Sequence, residues 1–212
     1  MHYAFDKWMG RHYPRLPWCR YADDGLIHCH SQAQARQVME EPRQRLQDRG
    51  LELHPDKTRI VYCKDDNRSG DYPVRKFDFP GYTFRGRSVR NARDQKNFVG
   101  FTPAVSNVSK KAMRGYLRAS RMNKHLQGGL WEIARGYNPV LRGWLEYYGK
   151  YGRSEMKDVF TSFNKMLIKW LMRKYQRFRG HKTRASRYAE SLCKYNKKLF
   201  VHWEQGIVGR FA

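Results

Sequence analysis

The sequence predicts an α+β fold in two successive parts. Three observations predict it. Residues 1–102 mix short strand-like runs, broken by Gly, Pro and Asp turns, with one helical stretch. Apolar residues at helical spacing dominate residues 103–212. Charge divides in much the same way. Residues 1–84 carry 14 Lys/Arg and 12 Asp/Glu, whereas residues 85–212 carry 29 and 7. The first part is close to neutral. The second is a positive body that holds nearly all of the net +24 charge. Such asymmetry points to a polyanionic partner, with nucleic acid the first choice. An anionic membrane surface is the weaker alternative, because the basic residues are spread over many segments rather than gathered in one amphipathic anchor.

The elements follow in order. Residues 18–29, WCRYADDGLIHC, read as a hairpin bending near Asp23-Asp24-Gly25. Ser31 is placed to cap a helix from about 32 to Arg49, which Gly50 ends. Its apolar positions are Ala35, Val38, Met39 and Leu46. Residue 42 falls on the same face and is proline, a local conflict, since an interior proline costs about 3 kcal/mol. LELHP and TRIVYC read as strands around the turn HPDKT, and DDNRSGDYP as a loop. KFDFPGYTFRGR resumes aromatic alternation.

From about residue 103 the pattern turns helical. Residues 106–127 place Val108, Ala112, Tyr116 and Leu117 on one face, before a break at Gly128-Gly129. Asn138-Pro139 predicts a new helix start. The clearest helix spans 154–176, with Met156, Val159, Phe160, Phe163, Met166, Leu167, Trp170 and Leu171 as its core face. Residues 173–184, RKYQRFRGHKTR, interleave basic side chains with Tyr175 and Phe178. That composition suits phosphate contact together with base stacking.

Several classes are set aside. No run of about 18 apolar residues exists, so no membrane helix is expected. The first residues lack the apolar core of a signal peptide, which predicts a cytoplasmic protein. Cys19, Cys29, Cys63 and Cys193 form no C-x-x-C pair and are read as reduced thiols, not zinc ligands.

Asp23-Asp24 has three readings: turn chemistry, a Mg²⁺ site for phosphoryl chemistry, and an unspecific acidic surface. The positive body favours the second, with the body holding a polyanion and the carboxylates holding metal. Adjacent strand residues face opposite ways, so a two-metal site wants another carboxylate from a separate strand.

Here the sequence resembles a known family. YADD is similar to the Y-x-D-D signature of reverse transcriptases. The segment GLELHPDKTRIVYC and then FDFPGYTFRGR resemble, in order and spacing, the segments that follow it in group II intron-encoded reverse transcriptases. NPVLRGWLEYYGKY and WLMRKYQRF resemble their thumb and maturase domain X. The resemblance runs from about residue 2 to 205. It implies the end of a reverse-transcriptase palm over 1–102, then a helical thumb and maturase region over 103–212.

The family copies RNA into DNA with two Mg²⁺ ions, and its maturase domain binds intron RNA to aid splicing. On this resemblance Asp23 is a catalytic metal ligand and Asp24 its less central neighbour. Tyr21 and Lys57 would lie near the nucleotide, and Phe79, Gly81 and Tyr82 in the primer-gripping turn. Lys110, Lys111, Arg114, Arg118, Arg142, Lys169, Arg173, Lys174, Arg177 and Arg179 would contact RNA. The implied partners are intron or template RNA and a DNA primer or target, with no membrane. No endonuclease segment is expected after domain X.

Departures accompany the match. The family carries fingers and early palm motifs before Y-x-D-D, one of which supplies another catalytic aspartate. Asp6 is the only acidic residue here before Asp23, and it is not assigned to metal. Pro80 replaces the usual leucine of F-L-G-Y. The expectation is a truncated copy that does not polymerise alone. The alternatives are a stand-alone RNA-binding splicing cofactor, a non-functional remnant, or assembly with a separately encoded N-terminal half.

Overall fold

The computed structural model describes residues 1–91 and 93–211. The fold is mixed, with small antiparallel sheets and seven α-helices among the described residues. The chain forms two compact units, which meet in sequence between Pro80 and Gly81.

The first unit opens with a wide π-wound turn, His2–Asp6, that continues as α1 (Lys7–His12). β1 (Trp18–Tyr21) and β2 (Asp24–Ile27) follow as the expected hairpin, in register from Trp18↔Ile27 to Tyr21↔Asp24. Phe5 is buried and meets Trp18 edge-on, ring centroids 5.6 Å apart, which seats the hairpin on the N-terminal segment.

α2 (Gln32–Gln47) begins as the sequence predicts, with the Ser31 hydroxyl accepting from the Gln34 N–H at 3.1 Å. Gly50 closes it at φ +70°, and the Leu51 N–H reaches back to the Leu46 carbonyl at 2.9 Å. Pro42 does not break the helix. Val38, Pro42 and Leu46 form the buried stripe, so the proline ring serves as a core side chain and its burial offsets the missing N–H.

Residues 51–75 correct the sequence reading. LELHP and TRIVYC form no strand. A strand needs a continuous ladder partner, and this segment makes scattered contacts instead. The Tyr62 N–H donates to the Val74 carbonyl, the Gly70 N–H to the Tyr62 hydroxyl, and the Tyr62 and Tyr72 rings lie 4.5 Å apart. β3 (Lys76–Phe79) ends the unit.

The second unit starts with a long hairpin that periodicity alone did not reveal. β4 (Tyr82–Arg90) pairs with β5 (Asn97–Val105) from Tyr82↔Val105 to Arg90↔Asn97. The helical run therefore begins at Asn107 rather than near residue 103, because β5 continues to Val105. α3 (Asn107–Ala119) is capped by the Ser106 hydroxyl, which accepts from the Ser109 N–H. Its buried stripe is Lys110, Met113 and Leu117. Val108, Ala112 and Tyr116, expected on the core face with Leu117, are exposed.

α4 (Leu130–Tyr148) runs unbroken through Asn138-Pro139, which corrects the predicted start there. The helix begins earlier, where the Glu132 carboxylate accepts from the Gly129 N–H at 2.7 Å. Pro139 is exposed, so the carbonyl it leaves unpaired can face water. Asn138 does not cap. Its amide donates to the Leu199 carbonyl and accepts from the Val201 N–H.

α5 (Lys157–Lys174) is the central helix, with Val159, Phe160, Phe163, Leu167, Ile168, Trp170 and Leu171 buried. The periodicity identified this face, although Ile168 replaces the half-buried Met166. α6 (Lys182–Tyr195) and α7 (Val201–Glu204) pack beside it and were not anticipated. Trp203 and Phe200 complete the core. The segment after α7 is pinned to α5: the Asn164 amide donates to the Val208 carbonyl, and the Arg210 N–H to the Thr161 hydroxyl. No helix among the described residues is long and apolar enough to cross a membrane.

Candidate functional site

The first unit carries the aspartates. Tyr21 and Asp24 face each other across the hairpin, and Ala22-Asp23 form a two-residue loop. Ala22 has φ +53°, a conformation costing an L-residue about 1–2 kcal/mol. Glycine would relieve it, so the loop is held by its surroundings. The holder is Arg20. Its guanidinium donates to the Ala22 carbonyl and makes two 2.6 Å bonds to the Asp6 carboxylate. That bond to Arg20 holds the Asp6 carboxyl down at about 2, against the opposing effect of burial.

Asp6 therefore acts as the anchor of the clamp. A sequence signal existed. Trp18 and Arg20 share the covered face of β1, and an arginine on such a face wants a carboxylate. Asp6 is the only one upstream.

Asp23 and Asp24 are exposed. Their hard oxygens suit one Mg²⁺ bridged to substrate phosphates. They do not suit a two-ion arrangement by themselves: among the described residues, no group of three or more His, Cys, Asp or Glu is placed to hold a metal. Tyr21 is 65 % exposed beside them. Lys57 sits exposed in the turn 55–57, and Phe79 is half-buried at the end of β3.

Gly81 and Tyr82 belong to the second unit. Gly81 has φ +78°, and an added Cβ would stand 2.8 Å from the Tyr148 hydroxyl. Only glycine fits there. Its carbonyl accepts from the Ser106 N–H and the Ser109 hydroxyl, fixing the base of the hairpin on α3. The Tyr82 hydroxyl donates to the Tyr147 carbonyl, and its ring lies 5.4–6.1 Å from those of Tyr147, Tyr148 and Tyr151. Burial, then these tyrosines, pushes the Tyr82 phenol up.

The ten basic residues expected on RNA divide into three groups. Lys111, Arg114 and Arg118 form one stripe along α3, at i, i+3 and i+7. Lys111 and Arg118 are exposed and Arg114 half-buried; Arg142, Lys169, Arg173 and Arg179 are exposed as well. Lys165 continues the α5 stripe toward Lys169 and was missed; so were the α6 cations Lys182, Arg184 and Arg187, for want of that helix. In the second group, Lys174 donates to the Leu126 carbonyl, while Arg177 lies 4.6 Å from the Phe178 ring and 4.9 Å from Tyr188. These rings hold the guanidinium at the surface.

Lys110 stands apart. It is 6 % exposed, and its ammonium bonds Glu155 at 2.7 Å, with Asp158 3.9 Å away. That bond holds the Glu155 carboxyl below its usual range. Its charge is neutralised inside the unit, where it is covered from solvent, unlike the other basic residues expected on RNA. Lys110→Ala should lower stability by about 1–3 kcal/mol in a urea titration. It should leave the salt dependence of RNA binding unchanged, whereas Lys111→Gln reduces it. Equal slopes for both variants would contradict this division.

Comparison with known proteins fits this geometry. Residues 1–84 match the family described as reverse transcriptase (RNA-dependent DNA polymerase), and residues 110–188 match the group II intron, maturase-specific domain. No curated protein matches the chain. The first match contains the aspartate hairpin, and the second contains α4, α5 and most of the basic stripes. Two such matches in this order identify the chain as a member of the group II intron reverse transcriptase/maturase family.

Proposed function

We propose that the chain binds group II intron RNA through its helical unit and supports the folding that splicing needs. The observation that carries this reading is the exposed stripes of α3 and α5, set on a helical unit whose 110–188 span matches the maturase-specific domain. Phosphate neutralisation gives binding a steep salt dependence. The expected result is a log–log slope of about −4 to −6 for single-stranded segments, from six to eight contacts at about 0.7 each. An affinity that barely changes from low to moderate salt would sink the phosphate-contact picture.

The aspartate hairpin is the metal-binding part of an RNA-directed DNA polymerase site. Bound with nucleotide phosphates, a Mg²⁺ ion would neutralise charge there, and Asp23, with Asp24 beside it, would supply its protein oxygens. Tyr21 and Lys57 would border the nucleotide, and Phe79, Gly81 and Tyr82 the DNA primer. With two adjacent carboxylates as donors, this chain alone does not polymerise. Primer extension with Mg²⁺ tests this: template-dependent product that disappears in Asp23→Ala overturns it.

A second reading is favoured by β1 and β2, which form a two-stranded sheet with no third strand among the described residues. Such a hairpin is marginal by itself. A separately encoded segment would add strands and the further carboxylate, and extension activity would then appear only on mixing.

A further inference from the structure

We infer that α1 and α2 form a second RNA-contact surface on the first unit, a groove that takes an unpaired strand. The inference rests on the reading that the chain binds RNA, and it goes beyond that reading in placing a contact outside the helical unit. The groove has a volume of about 1070 Å³ and is open to solvent. Lys7 and Arg11 line it from α1, and Arg45 and Arg49 from the end of α2 and the residues after it. No carboxylate lines it.

That segregation is informative because residues 1–84 are nearly neutral, with 14 Lys/Arg against 12 Asp/Glu. The nearest acidic residues of the two elements are engaged by other side chains. Asp6 holds Arg20 and, at 3.2 Å, the groove-lining His2; Glu41 accepts from Tyr13 and Gln37, and Asp48 accepts from Gln44. Lys7, Arg11 and Arg49 are therefore left exposed at an open channel, with Arg45 half-buried.

The groove also offers ring faces. Trp8 lines it, with the His12 ring stacked at 4.6 Å and nearly parallel. A stacked indole–imidazole pair is a step on which a further base can continue the stack. Cations along the two walls with an aromatic step between them match a single strand, whose phosphates and base faces are both accessible. A duplex hides its base faces. A small-molecule pocket would be more enclosed and more apolar. None of the residues assigned to metal, nucleotide or primer lies here, so the surface is separate from the polymerase site.

The test uses the full chain and a single-stranded RNA, with affinity measured across a salt series. Replacing Lys7, Arg11, Arg45 and Arg49 by Gln should flatten the slope by about 2–3, at about 0.7 per lost phosphate contact. Replacing the three arginines by Lys, with Lys7 kept, retains the charge and should restore the slope. Trp8→Ala should weaken binding about tenfold, and Trp8→Phe much less. Circular dichroism of each variant verifies that the fold is retained.

A wild-type chain that binds no RNA overturns both this inference and the reading beneath it. RNA binding with a slope unmoved by the fourfold Gln variant overturns this inference alone. A DNA strand of the same sequence bound equally well, with the same loss in the Gln variant, overturns the assignment to RNA.

Discussion

Asn164→Ala should destabilise the helical unit by about 3–5 kcal/mol. Asn164 is fully buried in α5. Its carbonyl oxygen accepts from His202 Nε2 at 3.1 Å and from Trp203 Nε1 at 3.3 Å, and its amide donates to the Val208 carbonyl. Truncation strands two buried partners, His202 and Trp203, and the carbonyl of half-buried Val208. Each orphaned group costs about 1–3 kcal/mol, and the costs partly overlap because the partners share one hub. The lost side chain also leaves a small void. For a chain of this length the melting temperature should fall by about 10 °C, at about 2–4 °C per kcal/mol. A loss below about 1 kcal/mol in urea unfolding would mean that water or a rearranged strap replaces the amide.

Acidification should weaken the same core, with the loss beginning well above the carboxylate range. His202 is fully buried, stacked on Phe160 at 4.7 Å and ringed by Phe163, Phe200 and Trp203. Its Nε2–H donates to Asn164, and Nδ1 has no partner. Burial pushes its pKa from 6.5 down to about 3. The folded state therefore keeps the ring neutral where the unfolded chain protonates it. Stability is full above about pH 6.5 and falls by about 1.4 kcal/mol per pH unit below it, until the folded form protonates near pH 3. By pH 5 the loss reaches about 2 kcal/mol. Urea midpoints at pH 7 and pH 5 measure it. His202→Gln keeps a donor toward Asn164 and should be less stable but far less sensitive to pH. An equal pH dependence in both proteins would place the titrating group elsewhere.

The two variants probe a region that the sequence only half disclosed. The face of α5 was legible because eight large apolar residues repeat at helical spacing, and nothing in a buried helix competes with that signal. Ser31 as the cap of α2 was legible for an equally local reason. Nonlocal features were not. Asn138-Pro139 has the local chemistry of a helix start, yet a distant segment at 199–201 uses the asparagine and the helix runs through. TRIVYC has strand composition but no ladder partner. The alternation at Phe77, Phe79, Tyr82 and Phe84 marked β3 and the start of β4, but the rest of β4 and all of β5 went unseen because Arg85, Arg87 and Gly100 dilute the pattern.

The aspartates were legible through the YADD hairpin rather than through adjacency, since Glu40-Glu41 and Asp65-Asp66 are adjacent acids too. The clamp that shapes their loop left only an indirect signal, because Arg20 and Asp6 are distant in sequence and nothing local pairs them. The burial of Lys110 left none: a lysine among lysines gives no sign that it is inside.

Lys110 also bears on how such a protein can drift. A lysine of the exposed stripes can become arginine, or shift by a turn, and still meet a phosphate. Position 110 has no such freedom, because its stem is buried and its ammonium must meet Glu155 at 2.7 Å. In descendants of this chain, residues 110 and 155 should change together or not at all. The surrounding basic positions should wander independently, so a chain can turn over most of its positive charge while this one pair records its ancestry.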